Sequence, residues 1–169
     1  MAKQVFENQL PPSIQKPTRE SDRNTRQEWI KNKYIDKLFL APVDTSQKSL
    51  EGVLHDAVKS GDTVATLNLI AHGAQVNYKD PNNNLYSALH IGILQGHVWL
   101  CDLLIQNGAD INVTDTDGWT PLHHCAYTNN IHCIVLLIRR GVNISSKNTL
   151  SQVFFSFSLI NFPIYLLNI

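Results

Sequence analysis

The sequence predicts an all-α fold made of about three helix-turn-helix units that follow an amphipathic helix. A Leu-His pair recurs along the chain, with a step of 35 residues from His55 to His90 and 33 residues from His90 to His123. Glycines recur at the same two steps: Gly73, Gly108 and Gly141. Each unit also carries apolar residues at helical spacing, and one pair of helices is too small to bury them. Neighbouring units must therefore pack against each other.

Each unit should contain two helices joined by a tight turn. The turns are expected at Gly61, Gly96 and Asn129. The second helices should end at the recurring glycines, because glycine readily adopts the left-handed conformation that closes a helix. In the third unit, the Thr120 hydroxyl can cap the first helix, and Pro121 occupies the first helical position, where no backbone N–H is needed.

The second unit carries the most specific pattern, in the order Ser87-Ala88-Leu89-His90, Gly96-His97, Leu103-Leu104-Ile105 and Gly108-Ala109-Asp110-Ile111-Asn112. This unit resembles the ankyrin repeat at nearly every diagnostic position, and the third unit opens with Thr120-Pro121-Leu122-His123. The resemblance implies an ankyrin-repeat solenoid whose surface holds another protein. The expected units span about residues 50–83, 84–117 and 118–149. The resemblance also implies structural roles in the repeats for three histidines: His55, His90 and His123.

An amphipathic helix is expected ahead of the repeats, over residues 25–39. The segment Thr25-Arg26-Gln27-Glu28 has the pattern of a capping box, which satisfies backbone N–H groups at a helix start. The apolar residues that follow lie at helical spacing: Trp29, Ile30, Tyr34, Ile35 and Leu38. Three lysines alternate with them: Lys31, Lys33 and Lys37. This basic face could contact an anionic membrane or a partner, although a solvated charged face is the commoner arrangement.

The stretch from Val5 to Val43 resembles the end of an Arf GTPase-activating domain, in which a helix of the form WI-x-x-KY-x-x-K-x-F closes the fold. In the multidomain Arf-GAP proteins called centaurins, ankyrin repeats follow that helix, as they do here. The resemblance identifies residues 1–43 as the C-terminal remnant of such a domain and the chain as a fragment. It implies a role in Arf-regulated membrane traffic, with an Arf small GTPase as a candidate partner.

The activity of that family requires groups that this sequence does not contain. Family members stimulate GTP hydrolysis with a four-cysteine zinc finger and an arginine that stabilises charge on the transferred phosphoryl group. The sequence has no CxxC pair, and Arg19, Arg23 and Arg26 match no catalytic position. We therefore expect no enzyme activity, catalytic residue, cofactor or metal here, and a role as an adaptor or scaffold. The alternative is an intact parent protein that is a zinc-dependent GTPase activator of Arf.

Aromatic residues mark the expected partner-binding surface. Tyr86 and Trp119 precede the first helices of units two and three, at the tips of the connecting loops. In ankyrin proteins these tips and the inner helices form the concave binding face, and exposed aromatic residues are frequent interface anchors. The expected partner-binding residues are Tyr86, Trp119, Asn83 and Asp117. The alternative is that each ring only covers a neighbouring loop. Trp99, on a second helix, should face the opposite side.

Two reactive sites are conceivable in the third unit, and both are disfavoured. Five residues there offer atoms for a soft metal ion: His123, His124, Cys125, His132 and Cys133. Adjacent residues on a helix point in different directions, which does not suit metal ligands. Cys125 could act as a nucleophile beside a histidine, but the sequence shows no oxyanion partner for it. We expect His123 to bond a neighbouring loop, and Cys125 and Cys133 to pack as small apolar residues.

Charge and cysteine content bear on partners and location. Residues 1–50 carry nine Lys and Arg against six Asp and Glu, whereas residues 51–169 carry five against eight. This mild split predicts no nucleic-acid partner. Three cysteines, an odd number, argue against a disulfide framework and indicate a reducing compartment. The N-terminus lacks the apolar segment of a secretory signal. The expected location is the cytoplasm, with peripheral binding to endosomal or other membranes as a weaker alternative.

Residues 150–169 form an uncharged apolar tail that departs from the repeat pattern. Its length fits a transmembrane anchor, but Pro163 and several Ser and Asn residues make it a weak span. A tail-anchored membrane protein is therefore a third interpretation of the chain. We favour an abnormal end of the reading frame, because a fourth repeat would normally continue after Lys147.

Overall fold

The computed structural model describes residues 16–32 and 42–150. Within these ranges the chain forms helices and no strands. The helices are α1 (Arg23–Ile30), α2 (Leu50–Ser60), α3 (Thr63–His72), α4 (Ala88–Leu94), α5 (Val98–Gln106), α6 (Pro121–Tyr127) and α7 (Ile131–Arg139). From α2 onwards, helices paired by tight turns alternate with longer loops, which confirms the predicted all-α repeat fold.

Three expectations fall on parts of the chain that lie outside the described residues. They concern residues 1–15 of the predicted Arf-GAP remnant, the second half of the amphipathic helix with Lys33 and Lys37, and the apolar tail after Leu150. Among the described helices, none combines the length and the apolar character that a membrane crossing requires.

The contacts divide the chain into two compact units. Of the described residues, the first unit contains those up to 57 together with 62–75, and the second contains 58–61 and those from 76 to 150. The last turn of α2 therefore belongs to the second unit, while the rest of α2 belongs to the first.

In the first unit, α1 begins earlier than the sequence pattern predicts. The predicted capping box at Thr25 is wrong, because the N-cap is Asp22, whose carboxylate accepts the backbone N–H of Thr25 at 2.7 Å. An aspartate caps a helix strongly, and its charge also favours the positive end of the helix dipole. Trp29 is the buried residue of α1, and the helical backbone continues through residues 31–32 as a wider turn.

The rest of the first unit is built from α3 and most of α2. Asp62 caps α3 by accepting the backbone N–H of Ala65 at 2.9 Å. Gly73 closes α3 in the left-handed conformation, with φ of 101°. Leu54 and Leu69 are buried, and His55 is buried beside Leu54.

In the second unit, the four helices form two layers that share one core. Helix α4 packs against α5 and α6, and α7 packs against α5 and α6. The side chains at the centre of this core are large, aliphatic and fully buried: Leu89, Ile93, Leu100, Leu104, Leu122, Ile134 and Leu137. Each such burial contributes about 1.5–3 kcal/mol to the free energy of unfolding.

Gly92 allows α4 to approach its neighbours closely. A Cβ atom at this position would lie 3.1 Å from the Cys101 sulfur and 3.4 Å from a Val58 methyl group. The first distance is shorter than an ordinary van der Waals contact. A side chain at this position would therefore require the Cys101 side chain to shift by a few tenths of an ångström.

Positive φ angles mark the turns and the helix ends. The tight turns between paired helices contain Gly61 (80°), Gly96 (75°) and Asn129 (53°). The glycines that follow the second helices are Gly73 (101°), Gly108 (89°) and Gly141 (80°). Asn129 is the one member of these two sets with a side chain, and asparagine tolerates this conformation better than most residues.

Helices α4 and α6 begin with the same capping arrangement. Ser87 and Thr120 are the N-caps, and Pro121 occupies the first helical position of α6. The third residue of each helix is a histidine whose Nδ1 accepts the backbone N–H of the cap at 3.2 Å, His90 for Ser87 and His123 for Thr120. Because Nδ1 accepts in both rings, the ring proton lies on Nε2 when the histidine is neutral.

Asparagine side chains connect the loops that follow the second helices. The Asn77 amide donates to the Gly108 carbonyl at 2.8 Å, and its oxygen accepts the Asp110 backbone N–H at 2.8 Å. Asn112 repeats this contact one repeat later, where it accepts the backbone N–H of Asn143 at 2.8 Å. We call this pair of contacts the asparagine ladder. It holds the register of successive loops through polar groups at the surface.

Candidate functional site

The loops before α4 and α6 are closed by backbone hydrogen bonds. In the first loop, the N–H of Asp80 donates to the Tyr86 carbonyl at 3.1 Å. In the second, the N–H of Asp115 donates to the Trp119 carbonyl at 3.0 Å. In each loop the acceptor is the aromatic residue that lies just before the N-cap of the following helix. The two rings are therefore presented from equivalent positions.

Backbone bonds also join successive loops to each other. Thr116 donates its N–H to the Asn84 carbonyl at 3.1 Å. Thr149 donates to the Asp117 carbonyl from its N–H at 3.0 Å and from its hydroxyl at 2.8 Å. The side chains of Asn83 and Asp117 are exposed at the tips. The loops of the second unit thus form one connected edge with polar groups at its rim.

Tyr86 and Trp119 are half-buried, and their rings belong to one group of aromatic and imidazole rings. The Tyr86 ring lies 5.7 Å from that of His90 and 5.5 Å from that of His124. The Trp119 ring lies 5.3 Å from that of His124 and 5.6 Å from that of Tyr127. We call these five residues the aromatic cluster. The geometry brings the two predicted anchors together through His124.

Tyr127 is the most exposed member of the cluster, with 69% of its surface accessible. The sequence analysis did not select it. The spacing of residues could have identified Tyr127 from the sequence. Trp119, His123 and Tyr127 follow each other at intervals of four residues, and residues at this interval share one face of a helix. The aromatic face therefore extends from the loop along α6.

One member of the aromatic cluster, His124, is held in place by the buried side chain of Asp115. The Nε2 of His124 lies 2.9 Å from Oδ2 of Asp115. The other carboxylate oxygen of Asp115 accepts the backbone N–H groups of Asp117 at 2.9 Å and Trp119 at 2.8 Å. One carboxylate therefore ties the loop to α6. Burial is the largest cause that lowers the pKa of His124, against the opposing effect of Asp115.

His90 connects one loop to the next through the cluster. Its Nε2 lies 3.3 Å from the Trp119 carbonyl, to which it donates. The ring is fully buried, and burial is the largest cause that lowers its pKa to about 4, with the nearby His124 acting in the same direction. His90 is thus neutral near pH 7 and acts as a hydrogen-bond donor.

The residues considered for a metal site or a nucleophile are arranged differently. His123 is buried and held by Thr120, His124 is held by Asp115, and His132 is exposed. Over the described ranges, no group of three or more His, Cys, Asp or Glu side chains could hold a metal ion. Burial is the largest cause that raises the pKa of Cys125, so that its sulfur is a thiol rather than a nucleophilic thiolate.

Two other predicted features are exposed. Trp99, near the start of α5, has 86% of its surface accessible and makes none of the ring contacts described above. Lys31, the described member of the predicted basic face, is exposed just after α1.

Comparison with known proteins identifies the repeats. A family model described as "Ankyrin repeats (3 copies)" matches residues 30–115 and 54–148, which together are more than half of the chain. The matched ranges include all of the helices from α2 to α7.

Curated relatives match shorter stretches. The chain is 35% identical over 71 residues to "Arf-GAP with coiled-coil, ANK repeat and PH domain-containing protein 2" of Gallus gallus, which covers 42% of the chain and 9% of that protein. It is 46% identical over 62 residues to "ADP-ribosylation factor GTPase-activating protein AGD2" of Arabidopsis thaliana (37% and 8%). It is 35% identical over 69 residues to "Protein phosphatase 1 regulatory subunit 12A" of Mus musculus (41% and 7%). The chain thus spans less than a tenth of each of these relatives.

Proposed function

Because this chain belongs to the ankyrin-repeat family, we propose that it is an adaptor module that binds another protein through the aromatic cluster. The observation that carries the proposal is the arrangement of Tyr86, Trp119 and Tyr127 around a buried histidine. Aromatic side chains that are partly buried and held in place are typical of the residues that dominate binding energy. Such side chains offer a large apolar contact area at little cost in conformational entropy.

The residues of the proposed binding surface differ in the kind of contact that they can make. The rings of Trp119 and Tyr127 supply the apolar part of the surface, with Tyr127 the more accessible of the two. Asn83 and Asp117 lie exposed at the loop tips and supply hydrogen-bonding groups at the rim. An apolar centre with a polar rim is the usual composition of a protein interface.

A finer proposal concerns the partner. Two of the relatives are named as GTPase-activating proteins of Arf, and the stretch from Val5 to Val43 resembles the end of an Arf-GAP domain. We therefore propose an Arf small GTPase as the first partner to test, in a regulator of membrane traffic. The alternative is that the chain is one part of a parent that activates GTP hydrolysis on Arf through a zinc finger. In both cases this chain contributes binding and no catalysis.

The direct test is binding of the purified chain to a purified Arf protein loaded with a non-hydrolysable GTP analogue or with GDP, measured by calorimetry. Tyr127→Ala should weaken binding about tenfold or more, in the range of interface anchors. The change removes an exposed side chain and should leave the fold intact. The matched control is Trp99→Ala, which removes an even more exposed ring outside the cluster and should leave the affinity unchanged.

The outcomes test two proposals separately: that the aromatic cluster is the binding surface, and that the partner is an Arf GTPase. Equal effects of the two substitutions would exclude the aromatic cluster as the binding surface. Absence of binding to every nucleotide state of Arf would overturn Arf as the partner. Acceleration of GTP hydrolysis by this chain would contradict the assignment as a non-catalytic module.

The cellular location is part of the same proposal. We propose a cytoplasmic protein that reaches endosomal or other membranes through its partner rather than through its own lipid contacts. Fractionation of cells with and without the partner tests this, because membrane association should disappear with the partner. Retention on membranes under alkaline extraction would instead support the tail-anchored interpretation.

A further inference from the structure

The most accessible part of the aromatic cluster is a corner formed by two rings. The planes of Trp119 and Tyr127 are inclined at 75°, and their centroids are 5.6 Å apart. Trp119 is half-buried and is also in contact with the rings of His123 and His124. Tyr127 has 69% of its surface accessible. We call Trp119 and Tyr127 the aromatic corner, in which one ring is fixed and the other is open for contact.

An acidic side chain lies next to this corner. Asp117 precedes Trp119 by two residues, and its side chain is exposed at the loop tip. Its charge reaches the cluster: burial is the largest cause that lowers the pKa of His124, and Asp117 is among the charges that oppose it. Within the described ranges, no side chain forms an ion pair with this carboxylate, including the exposed Lys147 of the next loop. The carboxylate is therefore available to a charged group of a partner.

The two helices that carry the cluster add no fixed positive charge to it. Helices α4 and α6 contain no Lys or Arg. Burial lowers the pKa of His90 to about 4, so its ring is neutral near pH 7. Lys79 adds to this lowering from the first loop, where the next residue, Asp80, is bonded to the backbone of Tyr86. The positive charge thus lies at the loop of Tyr86, and the negative charge of Asp117 lies at the aromatic corner.

A basic side chain fits this combination of rings and carboxylate. The face of an aromatic ring attracts cations through its partial negative charge. A guanidinium group is flat, so it can stack on a ring while its N–H groups bond to a carboxylate at its edge. An acidic side chain would be repelled by Asp117, and an apolar one would leave the carboxylate unused. The chemistry therefore favours arginine, and lysine after it.

We propose that the aromatic corner binds an arginine side chain of the partner, which packs against Trp119 and Tyr127 and pairs with the carboxylate of Asp117. The proposal rests on the proposed function of the aromatic cluster as the binding surface, and it adds that the segment bound there is basic. At an exposed site, a cation–π contact strengthens binding about two- to fivefold. The ion pair at the rim contributes a similar or smaller factor.

The test uses the full chain and N-acetyl-arginine N-methylamide, which carries one guanidinium group. The matched probe is N-acetyl-citrulline N-methylamide, which has nearly the same shape and no charge. Both are titrated to about 50 mM at constant ionic strength, because one exposed cation–π contact gives weak binding. The NMR signals of the indole N–H groups report on Trp119 and, as internal controls, on Trp29 and Trp99. The arginine compound should shift the Trp119 signal at least about twofold more than the citrulline compound does.

Two substitutions separate the ring from the charge. Tyr127→Leu keeps an apolar side chain and removes the ring, so it should weaken binding of the arginine compound about two- to fivefold. Asp117→Asn keeps the shape and removes the charge, so it should weaken binding of the arginine compound and leave that of the citrulline compound unchanged. The matched control is Asp110→Asn, which removes an exposed carboxylate beside the asparagine ladder and should change neither. Circular dichroism checks that each variant keeps its helices.

The result that overturns the inference differs from the result that overturns the binding surface. Equal Trp119 shifts with the two compounds, no shift at Trp119, or equal shifts at Trp99 and Trp119 would exclude recognition of a cation at the corner. Unchanged binding of the arginine compound in both Tyr127→Leu and Asp117→Asn would do the same. Partner binding that Tyr127→Ala loses and Tyr127→Leu keeps would leave the binding surface in place and overturn arginine as its ligand.

Discussion

His124 donates its Nε2–H to Asp115 across 2.9 Å, and the two side chains are only 6% and 4% exposed. The same carboxylate accepts two backbone N–H groups of its own loop. Replacement of Asp115 by alanine leaves the buried His124 donor and two partly buried backbone donors without this acceptor. We expect the free energy of unfolding to fall by about 2–4 kcal/mol, because buried donors that lose their partner are costly.

Urea denaturation measures this loss directly. Asp115→Asn should cost much less, because an amide oxygen still accepts the two backbone N–H groups. The surface control is Asp117→Ala, two residues away and exposed, for which we expect a change within about 0.5 kcal/mol. Similar losses for Asp115→Ala and Asp117→Ala would show that the pair does not stabilise the loop.

The stability of the second unit should fall as the pH drops below about 6.5. Burial lowers the pKa of His90 to about 4 and also lowers that of His124, from an ordinary value of 6.5. Between the folded and unfolded pKa values, the unfolded chain binds more protons than the folded chain, so acid favours unfolding. His90 alone should cost about 2 kcal/mol at pH 5 relative to pH 7.5.

Urea midpoints at pH 7.5, 6 and 5 check this dependence. His90→Gln should flatten the profile, although it also loses stability at neutral pH. His132→Gln, on an exposed position of α7, should leave the profile unchanged. A stability that rises on acidification would contradict the assignment of a neutral, buried His90.

The asparagine ladder should contribute measurably to stability although it lies at the surface. Asn112→Ala removes the acceptor of the Asn143 backbone N–H, which is otherwise held at 2.8 Å. We expect a loss of about 1 kcal/mol, typical of one hydrogen bond to the backbone. Asn83→Ala is the matched control, because Asn83 is exposed at a loop tip. Thermal unfolding of both variants should show a lower midpoint for Asn112→Ala alone.

Asn129 should be replaceable by glycine but not by alanine. It has φ of 53° at a turn where the two preceding repeats have Gly61 and Gly96. A Cβ atom without a compensating polar group makes the left-handed conformation cost about 1–2 kcal/mol. Asn129→Ala should therefore destabilise by about 1 kcal/mol, and Asn129→Gly should retain or slightly raise the unfolding midpoint. Equal midpoints for the two variants would contradict this account.

The features that could be predicted from the sequence are those set by local chemistry and repeated along the chain. The turns at Gly61 and Gly96 recur with the Leu-His pairs, so the pairing of helices followed from a comparison of equivalent positions. The predicted start of α1 was wrong. Asp22 and Thr25 are both good N-cap residues, and the choice between them depends on which backbone N–H the side chain reaches.

The contacts that could not be predicted join residues of different repeats. Asn112 meets Asn143, and Asn77 meets Asp110, across 31 and 33 residues of sequence. Such contacts depend on how far one repeat is rotated and shifted relative to the next, which the spacing of motifs does not determine.

The fixed rings of the aromatic cluster have a consequence for the rate at which a partner dissociates. A side chain that is free in solution loses about 0.5–1.5 kcal/mol of rotational freedom when a partner covers it. Tyr86 and Trp119 are already held against His124, so most of this loss has occurred during folding. A preorganised surface of this kind improves affinity through longer residence of the partner rather than through faster encounter.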